Sequence, residues 1–188
     1  MHLDPAYVRL WLRVTARFSG VLLAGSFASL ALRRLWPSGL TQWMAANRHR
    51  FTLLFALSHT VHLIGVVLLV TLIPDQFFSK RGLPALILGP LGYALIYYMA
   101  WMAFANRKNP DLPDAKMQIL GLYLLWAVFT LAFTSGLWRN VWIYAPLASV
   151  MWLALAARLW AKQSGQSRQS EIPATGERSF PISAQPKR

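Results

Sequence analysis

The chain has 188 residues, 56% of them hydrophobic and only 13% charged, yet its formal net charge is +13 from 19 Lys+Arg against 6 Asp+Glu. That apolar content excludes a disordered polycation, and the charged share is about half that of an ordinary soluble domain. A polytopic membrane protein with basic loops fits both facts, with room for about five spans of roughly 20 residues and no sizeable soluble catalytic domain.

Taken in chain order, residues 1–17 carry Arg9, Arg13 and Arg17 at i, i+4 and i+8, which places them on one helical face. This is a basic amphipathic segment leading into the first span. A cleaved signal peptide fits less well, because the apolar pattern runs past Ser26–Ser29 to Leu32. The first span covers Phe18–Leu32 and stops at Arg33-Arg34. Leu35–Arg50 reads as a loop. The second span is Phe51–Ile73, ending at Pro74-Asp75, and a short loop holds Lys80 and Arg81. The third span is Leu83–Ala105, followed by a loop containing Asp111 and Asp114. The fourth is Met117–Leu137; Arg139 and Asn140 turn the chain into the fifth, Val141–Leu159. Residues 161–188 are polar, rich in Ser, Gln, Pro and Arg, and read as a disordered cytoplasmic tail. The fold class expected is therefore all-α: a transmembrane helix bundle, residues 18–160, of about five spans. The apolar runs are too long for barrel strands.

An odd number of spans puts the termini on opposite sides. Arg9, Arg13, Arg17, Lys80, Arg81 and Arg139 fall on the N-terminal side, and the remaining thirteen of the 19 basic residues on the other. The positive-inside bias places the C-terminus in the cytoplasm and the N-terminus outside. Scattered over several loops, these cations form no continuous face for nucleic acid.

Ionisable residues inside a span are expensive and mark functional candidates. The second span holds His59 and His62, three residues apart and on one face. They are candidates to ligate a haem iron, to hold a metal between them, or to relay protons; the structural alternative is hydrogen-bonding glue between helices. Two histidines at i, i+3 cannot occupy opposite faces of one haem, so a second ligand would have to be water, His62 of a second copy, or a methionine, with Met99 and Met102 of the third span as candidate axial thioethers. The basic pairs Arg33-Arg34 and Arg48-His49-Arg50 are candidates for haem propionates or anionic lipid headgroups. Trp43, Trp101, Trp138 and Trp142 read as interfacial anchors, and Gly89, Gly92 and Gly121 as close-packing positions. With no cysteine, disulfides, cysteine-ligated metals and covalent c-type haem are excluded.

The stretch Thr15-Ala-Arg-Phe-Ser through Leu32-Arg-Arg, followed by Arg48-His-Arg-Phe-Thr-Leu-Leu-Phe-Ala-Leu-Ser-His-Thr-Val-His62-Leu, resembles the ferric reductase-like transmembrane domain family. It is most similar to the branch with the haem-binding membrane subunit of the periplasmic methionine sulfoxide reductase system. In that family a basic pair opens a span and a haem-ligating His follows at the spacing that separates Arg48-His49 from His62. The resemblance covers roughly residues 15–160. It implies haem b as cofactor, with His62 on the iron and His59 as a second or supporting residue. It also implies a bacterial inner-membrane location and a redox or other membrane-protein partner beside the lipid bilayer. The family's later histidines have no counterpart on Met117–Leu137. Two readings follow: a b-type haem electron-transfer subunit, or a non-catalytic membrane partner that kept the fold and lost the haem. A transporter is a third, without support from acidic residues in the spans or from an inverted repeat.

Overall fold

The computed structural model describes residues 4–79, 83–105 and 116–170, with side chains described there except at 83–86, 88 and 165–170. His2, Lys80, Arg81, the loop carrying Asp111 and Asp114, and the tail from residue 171 lie outside the described residues. Among the described residues there is no strand. The helices are α1 (Pro5–Leu35), α2 (Gly39–Ala46), α3 (Arg48–Leu72), α4 (Pro74–Ser79), α5 (Leu83–Ala105), α6 (Lys116–Gly136) and α7 (Val141–Ser170). Among the described residues, α1, α3, α6 and Val141–Ser164 of α7 are long and apolar enough to cross a membrane. The 23 residues of α5 span about 34 Å at 1.5 Å each, again enough for a bilayer core. The chain is an all-helical integral membrane protein.

The basic N-terminal segment is part of the first span, not a separate surface helix. Asp4 caps α1 by accepting from the Ala6 N–H at 2.8 Å, with Pro5 at the first helical position. From there 31 residues run unbroken to Leu35, about 46 Å and longer than a hydrocarbon core. The extra turns pack against the far ends of α3 and α4. Val8 is buried with Leu69 and Phe77, and Arg9 Nη2 donates to Gln76 Oε1 at 3.1 Å. Arg33 and Arg34 sit in the last turn, where cations suit the helix dipole.

Two other expectations change. Leu35–Arg50 contains α2, started by a reciprocal cap in which Thr41 N–H donates to Ser38 Oγ and Ser38 N–H to Thr41 Oγ1. The last helix continues to Ser170, so residues 161–170, read as disordered tail, are helical. Ala161 is buried against Ala31 and Ala157, which extends the packed seam beyond the apolar run.

The five long helices alternate in direction. Helix α1 lies antiparallel to α3 along a seam of small and hydroxyl residues: Ser19 Oγ meets Ser58 Oγ at 2.9 Å, and Ser26 Oγ meets Thr52 Oγ1 at 2.7 Å. Gly65 lets Leu12 approach so closely that a Cβ there would lie 2.8 Å from its Cδ2. Phe27, Phe55, Met99, Leu125, Phe129 and Met151 join α1, α3, α5, α6 and α7 in one buried core. Gly121 admits Met99 Sδ, 2.8 Å from where a Cβ would sit, as expected. Apolar side chains stand exposed on every long helix, among them Phe18, Leu57, Trp101, Leu131 and Leu153. An apolar belt of this extent belongs against lipid, not water. The expected anchors Trp43, Trp101, Trp138 and Trp142 are all exposed.

The glycines separate close-packing positions from open ones. Gly65→Val should cost about 1–3 kcal/mol through overpacking, read as a lowered thermal midpoint in detergent. Gly92→Ala, where an added Cβ meets nothing within 4 Å, should leave the midpoint unchanged. Equal shifts for the two would contradict this packing.

Candidate functional site

His59 and His62 sit near the middle of α3, one turn apart. Their rings stack at 5.0 Å between centroids with planes 16° apart, so both imidazoles present themselves from one side. Phe55 stacks on His59 at 5.6 Å, and Tyr93 and Phe129 lean on it at 5.1 and 5.4 Å. The pair lines a cavity of about 830 Å³ between α3, α5 and α6. That volume lies within the roughly 300–1,000 Å³ range of small-molecule and cofactor sites. Apart from His59, His62 and Tyr93 the lining is aliphatic, Phe, Pro and Gly, including Leu63, Val66, Phe77, Leu91, Leu124 and Val128.

Helix α1 orients one of the two histidines. The Thr15 hydroxyl lies 3.0 Å from the Trp11 carbonyl, 3.2 Å from that of Leu12 and 2.9 Å from His62 Nδ1. Its single proton goes to the main-chain carbonyls, as helical threonines arrange themselves. The oxygen then accepts from His62 Nδ1–H, which assigns the tautomer with the lone pair on Nε2. Histidine metal ligands are held in this way: the second ring nitrogen donates to a fixed acceptor, setting ring angle and tautomer. His59 lacks the feature, because its Nδ1 is buried with no hydrogen-bond partner.

The structure brings His59 and His62 together and leaves the other candidates elsewhere. Neither Met99 nor Met102 lines the cavity; Met99 is 1% exposed and borders a second, polar pocket with Ser26, Arg48, His49, Thr52, Gln118 and Arg158. Met99 is drawn there because Gly121 leaves a hole for its thioether. Arg48 and His49 are about 21 Å from His62 along the helix and are not in the cavity wall. Arg33, Arg34 and Arg50 are exposed at that far end. The second pocket is about 10 Å³, the size of one water. Beside it the Arg158 guanidinium lies 4.3 Å over the Phe27 ring and 5.0 Å from that of Tyr123.

Gly89 and Gly92 are not close-packing positions. Both line the cavity, and an added Cβ at either would meet nothing within 4 Å. The residues that sequence reasoning missed are Thr15 and Tyr93. A signal for Thr15 existed: with Ser19, Ser26 and Ser29 it marks one hydroxyl-bearing face of α1. Tyr93 carried none, since an aromatic residue in an apolar span is ordinary.

No protein-family model, curated protein or solved structure matches this chain.

Removing the Thr15 hydroxyl tests the orientation of His62. In histidine-labelled protein, nitrogen NMR should show His62 protonated at Nδ1 in the native chain and spread over both tautomers in Thr15→Val. The variant should lose only about 0.6 kcal/mol of stability, the average for hydrogen bonds between membrane helices. An unchanged tautomer would assign the role to another group.

Proposed function

We propose that this chain is a b-type haem protein of the bacterial inner membrane that carries electrons, with His62 as the iron ligand. The observation that carries the reading is the Thr15-oriented imidazole on the wall of an apolar cavity of cofactor size. Haem b would supply one-electron redox chemistry there. The chain's own residues do the rest. Thr15 holds the His62 ring and its tautomer. Phe55 and His59 brace it by stacking. The aliphatic walls exclude water and favour a flat apolar macrocycle.

The detergent-purified chain, expressed with ample haem, should show a Soret band and a pyridine haemochrome. Both should vanish in His62→Ala and persist in His59→Ala. A second reading is favoured by one observation, that the described cavity wall carries no histidine or methionine on a helix facing α3. It makes the chain a non-catalytic membrane partner. A colourless preparation that co-purifies with a larger complex would support it and sink the haem reading.

The proposed orientation has the Arg33, Arg34, Arg50 and Lys162 end in the cytoplasm and the α4 end outside. The absence of native cysteine makes this direct to test. In intact spheroplasts, Asp75→Cys should react with a membrane-impermeant maleimide, while Gln42→Cys should react only after permeabilisation. The reverse pattern would invert the topology.

A further inference from the structure

We propose that the end of the bundle bearing the α6–α7 hairpin holds the phosphate headgroup of an anionic membrane phospholipid, bound by Arg13, Arg17 and Arg139. The site is independent of the haem reading. Arg17 is the cation that calls for it. Its guanidinium lies 5.6 Å over the ring of Tyr144, in the first turn of α7, whose N–H donates to the Asn140 carbonyl at 3.2 Å. Three residues on, Gly20 packs on Phe133, with room for no Cβ, which would lie 2.6 Å from Cε2. Arg17 therefore sits half-buried at the level where α7 begins. The exposed Trp138 and Trp142 mark that level as the headgroup region. A charge at the rim of the hydrocarbon is costly without a counter-ion, and a ring contact supplies none.

Shape points to the same occupant. The hairpin turns at this level, with the Arg139 N–H bonded to the Gly136 carbonyl at 2.9 Å. Helix α1 continues past it for about 18 Å, from Arg17 back to Pro5, packed on α3 and α4 through Val8, Leu12 and Thr15. The result is a step. Its floor carries Trp138 and Arg139. Its wall carries Arg13 and Arg17, one turn apart on one face, beside the exposed Val14 and Phe18. Guanidinium N–H groups match phosphate oxygens, and the apolar stripe beside them matches acyl chains.

The charge balance agrees. Arg13, Arg17 and Arg139 make no ion pair or side-chain hydrogen bond among the described residues. Of the 6 acidic residues, Asp111, Asp114, Glu171 and Glu177 follow α5 or α7 in sequence and so belong to the opposite end. Asp4 caps α1 about 20 Å from Arg17 along the helix, and Asp75 adjoins Gln76, the partner of Arg9. A lipid phosphate is the counter-ion that the chain does not supply.

The test follows the full chain in detergent by thermal midpoint and native mass spectrometry. Phosphatidylglycerol should raise the midpoint and stay bound as an adduct. Phosphatidylethanolamine and inorganic phosphate at equal concentration should do neither. Arg13→Gln/Arg139→Gln alters exposed side chains only, so the fold survives, and it should weaken phosphatidylglycerol binding by about fivefold per arginine. Arg17→Gln should weaken it as well, and Arg17→Lys, which keeps the charge, should restore most of it. Arg33→Gln/Arg34→Gln, at the far end, should leave it unchanged. Equal binding of the two lipids, or full binding in Arg13→Gln/Arg139→Gln, overturns the site. Loss confined to Arg33→Gln/Arg34→Gln moves the lipid to the other end and overturns it too. Stabilisation by inorganic phosphate alone makes the ligand a free anion and overturns the lipid.

Discussion

The seam between α1 and α3 is the contact on which the rest of this bundle depends. In lipid there is little hydrophobic drive to bring helices together, so close packing and interhelical hydrogen bonds must do it. Here Ser26 meets Thr52, Ser19 meets Ser58 and Thr15 meets His62, in register along antiparallel helices. Gly65 and Gly25 let Leu12 and Phe51 fill the spaces between. Each hydrogen bond contributes less than about 2 kcal/mol. Their value is cumulative and positional: the same series that fixes the register of α3 also fixes which way His62 faces.

The remaining helices follow from that pair. Phe27 and Phe55, buried at 0% and 1% exposure, supply the surface on which α6 and α7 settle. Phe27 stacks on Trp126 at 5.8 Å and meets Tyr123 edge-on at 5.1 Å; Phe55 meets Phe129 at 5.5 Å. Trp126 Nε1–H then donates to the Met151 carbonyl at 2.8 Å, tying α6 to α7. Helix α5 is attached differently. The Tyr97 and Thr60 hydroxyls meet at 3.1 Å, and Met99 enters the notch at Gly121. Both attachments lie toward the Ala105 half of α5. The half with Gly89, Pro90 and Gly92 stands off from α6, and the cavity is the consequence. It arises where the bundle's fixed contacts run out.

What could be read in the sequence divides along a physical line. Span number and position follow from hydropathy, because a bilayer imposes a length and a polarity on any helix that crosses it. The prominence of His59 and His62 follows too, since polar groups are rare at that depth. Packing partners do not follow, because they depend on which face each helix turns inward. Gly89, Gly92 and Gly121 look alike in sequence, yet only Gly121 meets a neighbour. Met99 looked available to iron and is buried against that glycine on the other side of the core. The helix over residues 5–17 was legible from its arginines, which share one face; that Val8 and Leu12 between them pack against α3 was not, because it depends on a neighbouring helix. The capping pair Ser38 and Thr41 was a legible start signal for α2, masked by the Pro37 and Gly39 around it.

The two polar places inside the bundle have opposite characters, and the difference bears on function. At the basic end, Arg48, His49, Gln118, Ser26, Thr52 and Arg158 crowd round a space for one water, and Arg158 lies on two aromatic faces. That is how a membrane protein solvates charge with its own groups, and it leaves no volume for a ligand. At the other end, the polar groups are few and the volume is large. His62 is held by an acceptor on a different helix, while nothing comparable braces His59 Nδ1. If the pair were only glue, each imidazole would be expected to bridge to a neighbour through both its geometry and its protons. One imidazole fixed from behind, beside a hole lined by aliphatic side chains, sets this place apart from the filled polar pocket at the basic end.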